Sequence, residues 1–172
     1  MTDRDGPRWL DAQQADAWIA LAATTVWLPA ALDAQLQRDA GISHPEYQVL
    51  SWLSMRPGRT GRMSEIAGLA NVSLSHLSRI ASRLERRGWL RRSPDPEDGR
   101  ATLATLTDAG WDKVVATAPG HAGEVQRLIF DNLTVDQVRE LREISERILG
   151  AVRPGLCLPR PSDESEGSTG QR

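Results

Sequence analysis

The fold is decided by residues 64–110, which read SEIAGLANVSLSHLSRIASRLERRGWLRRSPDPEDGRATLATLTDAG. This stretch predicts two short helices that cross at a tight turn and are followed by a β-hairpin, the wing. Ala67 is small enough to let the second helix approach, and Asn71 tolerates the positive φ that the turn requires. Three apolar residues at helical spacing should fill the angle between the helices: Leu77, Ile80 and Leu84. The pattern therefore predicts a winged helix-turn-helix.

The opposite face of the second helix, the recognition helix, carries polar and cationic side chains. Hydroxyl, imidazole and guanidinium groups are the types that hydrogen-bond to base edges and phosphate oxygens. Ser73 is predicted to cap this helix at its start and Gly88 to end it. Ser64 is predicted to cap the preceding helix, whose free amides suit a phosphate oxygen. The candidate nucleic-acid-binding residues are Ser64, Ser73, Ser75, His76, Arg79, Ser82, Arg83 and Arg86.

Charge is segregated along the chain. The whole chain carries a net charge of −2, but from Arg56 to Arg100 ten arginines face five acidic residues. This block has a net charge of +5 and the rest of the chain −7. A basic block that coincides with a helix-turn-helix is typical of a nucleic-acid-binding face on an acidic body. The alternative interpretation is that these arginines are only solvated surface.

Length and composition indicate one soluble domain. A chain of 172 residues with 40% hydrophobic residues can bury one core. The polar start lacks a signal-peptide pattern, and the apolar run 18–31 is interrupted by two threonines and Pro29, so it should fall short of a membrane span. We therefore expect a cytoplasmic protein with no membrane partner. The single Cys157 excludes an internal disulfide and is either an incidental thiol or a redox sensor.

No catalytic or metal-binding motif is found in the sequence. It contains no Gly-rich phosphate loop, nucleophile elbow or HExxH motif, and its three histidines lack metal-ligand spacing. The sequence therefore predicts no enzyme, no metal site and no cofactor. Two function classes remain: a sequence-reading transcriptional regulator, and a winged-helix module for protein interaction or nucleoid architecture. The polar recognition face favours the regulator, since an interaction module would expose apolar residues there.

The predicted first helix, residues 11–40, has two apolar faces. One stripe contains Trp18 and Leu36, and a second contains Trp27. A helix that is apolar on both sides needs two surfaces to pack on, so we expect one face on its own chain and one on a partner subunit. Pro29 should kink this helix or divide it.

Capping signals place the later helices. Ser43 with Glu46 forms a capping box, and so does Thr134 with the glutamine three residues later. Thr107 caps a further helix, which residues 119–120, Pro-Gly, should interrupt. These signals predict at least three more helices around the recognition helix.

The prediction is a mainly α fold with a small β-hairpin wing, whose strands are residues 89–92 and 101–106. Residues 1–10 and the Pro-, Ser- and Gly-rich tail 153–172 should be disordered. A single domain is thus expected over residues 11–152. Within it we expect dimerisation helices at residues 11–42 and 108–152 and a DNA-binding lobe at residues 43–107.

The segment LERRGWLRRSPDPEDGRATLATLTDAG, residues 84–110, resembles the signature of the MarR (multiple antibiotic resistance regulator) family of bacterial transcription factors. The resemblance lies in a helix ending in Arg-Gly, an arginine-bearing strand, an Asp-x-Arg tip and a Leu-Thr-x-x-Gly helix start. It extends more weakly over residues 11–150 through the order of the helices. Gly99 departs from the pattern, because many members have the first arginine of an Asp-Arg-Arg tip there.

The resemblance implies a homodimer whose N- and C-terminal helices interlock above two winged lobes. In the family, the recognition helix enters the major groove of double-stranded DNA and a wing arginine reaches the minor groove. Arg100 matches that arginine, and Asp98 matches the acid that orients it. Two-fold symmetry implies a palindromic operator. The expected function is that of a ligand-responsive repressor.

The resemblance also implies a ligand cleft between the dimer helices and the DNA-binding lobe. Trp18, His44 and Tyr47 are the candidate ligand-binding residues, as aromatic walls and a polar anchor. A small phenolic or antibiotic-like compound is the expected ligand. The alternative for His44 is a role only in the helix cap.

Overall fold

The computed structural model describes residues 7–156. It is mainly helical with a three-stranded antiparallel sheet, which confirms the predicted fold class. The chain forms two compact units, one ending at Val125 and one beginning at Gln126. In chain order the elements are α1 (Ala12–Ala40), α2 (His44–Ser54), a 3-10 turn (Pro57–Arg59), β1 (Thr60–Arg62), α3 (Met63–Leu69), α4 (Leu74–Arg86), β2 (Leu90–Pro94), β3 (Thr102–Leu106), α5 (Asp108–Leu128), a second 3-10 turn (Phe130–Asn132) and α6 (Val135–Val152).

The helix-turn-helix consists of α3 and α4 and has the predicted core. Leu77, Ile80 and Leu84 of α4 are fully buried. They belong to one apolar cluster with residues of α2 and α3 such as Leu50 and Ile66. The turn between the helices contains the predicted left-handed residue, since Asn71 has a φ of 51°. Apolar burial therefore fixes the recognition helix against the rest of the lobe.

The wing is the hairpin of β2 and β3, as predicted from the sequence. Leu90 pairs with Leu106 and Pro94 with Thr102. The third strand, β1, was not predicted. It has three residues, too few for an alternating pattern, and it pairs along β3 with Thr60 opposite Thr105. Edge pairing with β1 anchors the base of the wing to the lobe.

Most of the predicted caps are confirmed, but Ser64 is a correction. The backbone N–H of His76 donates to Ser73 Oγ at 3.2 Å, and both predicted capping boxes form. Gly88 follows α4 with a φ of 73°. In contrast, α3 begins at Met63 with Arg62 at the N-cap, so Ser64 lies inside the first turn. The reason is β1, which runs directly into α3 and leaves no separate capping residue.

The proline predictions need correction as well. Both α1 and α5 continue across their internal prolines, Pro29 and Pro119. The sequence predicts that Pro119-Gly120 interrupts α5 and that Pro29 kinks or divides α1. Both prolines are exposed, so water can solvate the carbonyl that each one deprives of its partner. A long helix then loses one hydrogen bond without ending.

Helices α1 and α6 each expose an apolar face. In α1, Trp18 is 58% and Trp27 73% exposed, and in α6 Val135 is 84% and Ile144 55% exposed. By length and composition α1 could cross a membrane, which corrects the expectation that its apolar run is too short. The expectation was wrong because it considered only the uninterrupted apolar run. Threonine and proline interrupt that run, but the mean hydropathy of the helix stays high. Both helices therefore present apolar side chains that no residue among 7–156 covers.

Candidate nucleic-acid interface

The outer face of α4 presents the predicted polar side chains. Ser73, Ser75, His76, Arg79 and Arg86 are exposed, while Ser82 and Arg83 are half-buried. The buried face of the same helix anchors it, so these side chains stand on a rigid element. Their hydroxyl, imidazole and guanidinium groups can donate hydrogen bonds to phosphate oxygens and base edges.

The ten arginines between Arg56 and Arg100 fall into two groups. Six are engaged within the protein: Arg56 with Glu65, Arg59 with Asp108, Arg62 with Asp95, Arg83 with Glu46, Arg87 with the Gly41 carbonyl, and Arg92 with Glu85. The other four make no side-chain hydrogen bond or ion pair to any residue among 7–156, and we call them the free arginines. They are Arg79, Arg86, Arg91 and Arg100.

Arg83 links the recognition helix to the N-terminus of α2. Its Nε donates to Glu46 Oε1 at 2.7 Å, and Glu46 is buried. Burial alone would raise the pKa of Glu46, but hydrogen bonds from Arg83 and from the backbone N–H and hydroxyl of Ser43 outweigh it, so the pKa lies below its usual value. The predicted phosphate contact of Arg83 would use the guanidinium N–H groups that Glu46 leaves available.

The wing tip places Arg100 in solvent. Asp98 Oδ1 accepts the backbone N–H of Arg100 at 3.1 Å, an Asx-type turn. Asp98 therefore holds the backbone of Arg100 in the wing turn. At the base of the tip, buried Asp95 accepts the backbone N–H of Glu97 and the Nε of Arg62. The hydrogen bond that Asp95 accepts from the Glu97 backbone contributes most to lowering the pKa of Asp95, and Arg62 lowers it further. Both contacts fix the loop.

A groove of about 340 Å³ runs between the helix-turn-helix and the wing. It brings together Ser64, Asp98 and Arg100, which are far apart in sequence. Ser78 and the exposed Leu74 also line it and are additional to the residues that the sequence predicts. Ser78 could have been found, since it lies four residues before Ser82 on one helical face.

The candidate ligand residues come together only in part. His44 and Tyr47 lie near His121 of α5, with ring centroids 6.2 and 4.9 Å from the His121 ring. Burial lowers the pKa of both histidines, and the charge of His44 lowers that of His121 further. Trp18 is exposed on α1 and makes no ring contact with this cluster. His121 was missed because its partners lie more than seventy residues away in sequence, where no spacing rule reaches.

Residues 7–156 contain no group of three or more metal-ligating side chains. Cys157 lies outside the described residues. The prediction about its redox role stays a prediction.

The fold and this basic face define a winged helix-turn-helix protein. Residues 42–102 match the MarR family model. Sco3205 of Streptomyces coelicolor, a MarR family regulator solved in complex with DNA, is 40% identical and has a TM-score of 0.82 over 88% of this chain and 95% of that chain. AbsC of the same organism is 30% identical, with a TM-score of 0.79 over 86% of this chain and 99% of that one. The chain therefore belongs to the MarR family.

The curated relatives match a shorter segment. The transcriptional regulator PapX of Escherichia coli is 29% identical over 109 residues, which are 63% of this chain and 66% of PapX. The chain thus spans less than two thirds of the length of PapX.

Proposed function

We propose that this MarR-family chain is a dimeric DNA-binding repressor that reads a palindromic operator and is released by a small ligand. One observation carries the DNA-binding part: the four free arginines all lie on α4 and the wing. Six neighbouring arginines are held by internal partners, so solvated surface charge alone does not explain the pattern. A free cation on a rigid element can pair with phosphate without breaking an existing ion pair.

We assign base reading to Arg79 and His76, at the first turns of the recognition helix. Arg83 and Arg86 contact phosphate, and the serines 64, 73, 75 and 82 donate to phosphate oxygens. Arg100 enters the minor groove, and Asp98 fixes the backbone that carries it. Residues 43–107 form the DNA-binding lobe in this proposal, and a repressor of this kind works in the cytoplasm.

The dimer uses the exposed apolar faces of residues 11–42 and 108–152. Large apolar side chains that are more than half exposed occur on α1 and α6, and a second copy of the chain would remove them from water. Two-fold symmetry then presents two recognition helices to half-sites about 34 Å apart, one turn of DNA.

The alternative function, a module for protein interaction or nucleoid architecture, predicts a mainly apolar recognition face. In α4 the only exposed large apolar side chain is Leu74. Its neighbours Ser75, His76 and Arg79 are polar, which favours sequence reading.

The test is selection of duplexes from a random-sequence pool by the full chain. We expect enrichment of a palindrome with half-sites one turn apart, and protection of DNA beside its own gene. Arg139→Ala, on α6, should select the same sequence, because this arginine already pairs with Asp136. Equal retention of all sequences would reject the regulator and support the architectural module.

The ligand part of the proposal is supported by the His44, Tyr47 and His121 cluster, with Trp18 retained as a further candidate. A panel of small phenolic acids is screened by thermal shift, and the best compound is titrated with and without the selected duplex. A tenfold loss of DNA affinity corresponds to about 1.4 kcal/mol of coupling and requires tenfold weaker ligand binding on DNA. Identical ligand affinities in both titrations would show that the compound is not an effector.

A further inference from the structure

We propose that Arg92 is a positioning residue that fixes the angle between the recognition helix and the wing and turns two serine hydroxyls of α4 toward the DNA. The inference rests on the proposed DNA-binding function. Arg92 is one of the six engaged arginines, so it is not itself offered as a DNA contact.

Arg92 binds Glu85 through both its backbone and its side chain. Its backbone N–H donates to Glu85 Oε1 at 2.9 Å, and its Nε and Nη2 donate to Oε2 at 2.9 and 2.6 Å. These bonds join β2 to the last turns of α4. A guanidinium has a rigid planar fork, so this contact fixes direction as well as distance.

The same guanidinium reaches further along α4. Nη2 donates to Ser82 Oγ at 2.9 Å and Nη1 to Ser78 Oγ at 3.2 Å. Ser78, Ser82 and Glu85 are four and then three residues apart, so they lie on one face of the helix. Arg92 of the wing therefore hydrogen-bonds to side chains along two turns of α4. We call these four residues the Arg92 clamp.

The clamp controls where the wing tip points. Arg92 pairs with Ala104 in the middle of the hairpin, and the tip beyond it carries Arg100. The link from α4 to β2 contains Gly88, whose φ of 73° shows a backbone that a side chain would strain. Without the clamp, the direct links from the hairpin to α4 would be the Gly88 turn and the buried Leu90, while the pairing of β1 with β3 would hold the base of the wing to the lobe. Helix and wing must fit adjacent grooves together, so their relative angle determines specific binding.

The clamp also sets the direction of two hydroxyl protons. A serine hydroxyl has one donor and two acceptor positions, and the cationic Arg92 can only donate to it. Ser78 and Ser82 therefore accept from Arg92 and keep their protons for another partner. Neither hydroxyl donates to an acceptor among residues 7–156. Ser78 also lines the groove with Arg100, where phosphate oxygens and base edges would be acceptors.

The test compares Arg92→Lys with wild type on two duplexes of equal length, the selected sequence and a scrambled one. Lysine keeps the positive charge but loses the fork. We expect the ratio of specific to non-specific affinity to fall by about tenfold or more, while non-specific affinity changes by less than about threefold. Arg91→Ala is the matched control, because it removes a free neighbouring cation and should weaken both duplexes alike.

A merely structural role would lower stability without changing this ratio, so thermal unfolding is recorded for each variant. Glu85→Gln removes the carboxylate that accepts from Arg92. It should lower the ratio of specific to non-specific affinity by a similar factor while the protein stays folded. Ser78→Ala supplies a second readout: it should weaken specific binding in wild type and have no further effect in the Arg92→Lys background.

The outcomes separate the two proposals. A wild-type chain without sequence preference overturns the proposed function and the clamp with it. A wild-type preference that survives both Arg92→Lys and Glu85→Gln, or additive effects of Ser78→Ala and Arg92→Lys, overturns the clamp alone.

Discussion

The winged lobe and the terminal helices treat their apolar side chains in opposite ways. In the lobe, Leu77, Ile80 and Leu84 are fully buried within a single chain. In α1 and α6, large residues such as Trp27 and Val135 are mostly exposed. The lobe therefore buries its core within one chain, with Leu36 of α1 and Val114 of α5 contributing to it. The terminal helices keep large apolar side chains that no residue among 7–156 covers.

This difference suggests a division of labour between stability and assembly. The lobe must hold the recognition helix rigidly, and burial of its apolar face does so. The terminal helices have exposed apolar side chains that are available for association. Changes in the lobe should thus affect folding, and changes in the terminal helices should affect the oligomeric state.

The largest expected effect is on assembly. The double variant Leu141→Asp and Ile148→Asp should dissociate or unfold the protein, because a charge buried in an apolar interface without a partner is costly. Sedimentation at micromolar concentration is the measurement. A wild-type chain that sediments as a stable monomer would contradict the dimer.

The second prediction compares two leucines of the same helix. Leu77→Ala should lower the free energy of unfolding by about 2–5 kcal/mol, since it leaves a cavity in the lobe core. Leu74→Ala should cost less than about 1 kcal/mol, because Leu74 is 55% exposed. Chemical denaturation measures both. Equal losses would mean that the two faces of α4 are not distinct in solution.

The third prediction concerns the free arginines. Arg79→Ala should cost about 1–3 kcal/mol of specific binding and relax the preference at particular operator positions. Arg86→Ala should weaken selected and random duplexes alike. Titration of both duplexes with both variants gives the comparison. If Arg79→Ala weakens the two duplexes equally, Arg79 contacts phosphate and does not read bases.

The smallest expected effect is a pH dependence of stability. The pKa values of His44 and His121 lie below their usual value of 6.5, mainly through burial. The unfolded chain therefore takes up protons first as the pH falls through 6.5, and the free energy of unfolding should decrease there and be constant above. Denaturation between about pH 7.5 and 5.5 measures this slope. His121→Gln should flatten it, and an unchanged slope would assign it to other groups.

Local patterns were enough to predict the helix-turn-helix, the wing and the capping boxes. Leu77 and Ile80 follow helical spacing, and the caps are short motifs. Pairings across long sequence distances were not accessible. β1 is recognisable only from its pairing with β3. His121 joins the ligand cluster only because α5 brings it near His44 and Tyr47 of α2. The Arg92 clamp was missed for a different reason, because adjacent arginines look alike until the structure shows which one is engaged.

The engaged and free arginines also set how many counterions DNA binding can release. If all ten arginines of the block met phosphates, a dimer would release ions with a slope of log affinity against log salt of about −18. The four free arginines, together with Arg83 through the N–H groups that Glu46 leaves available, limit this slope to about −9. The protein would then keep useful affinity over a wider range of ionic strength than its composition suggests. Internal ion pairing thus gives a strongly basic segment only a moderate salt dependence of DNA binding.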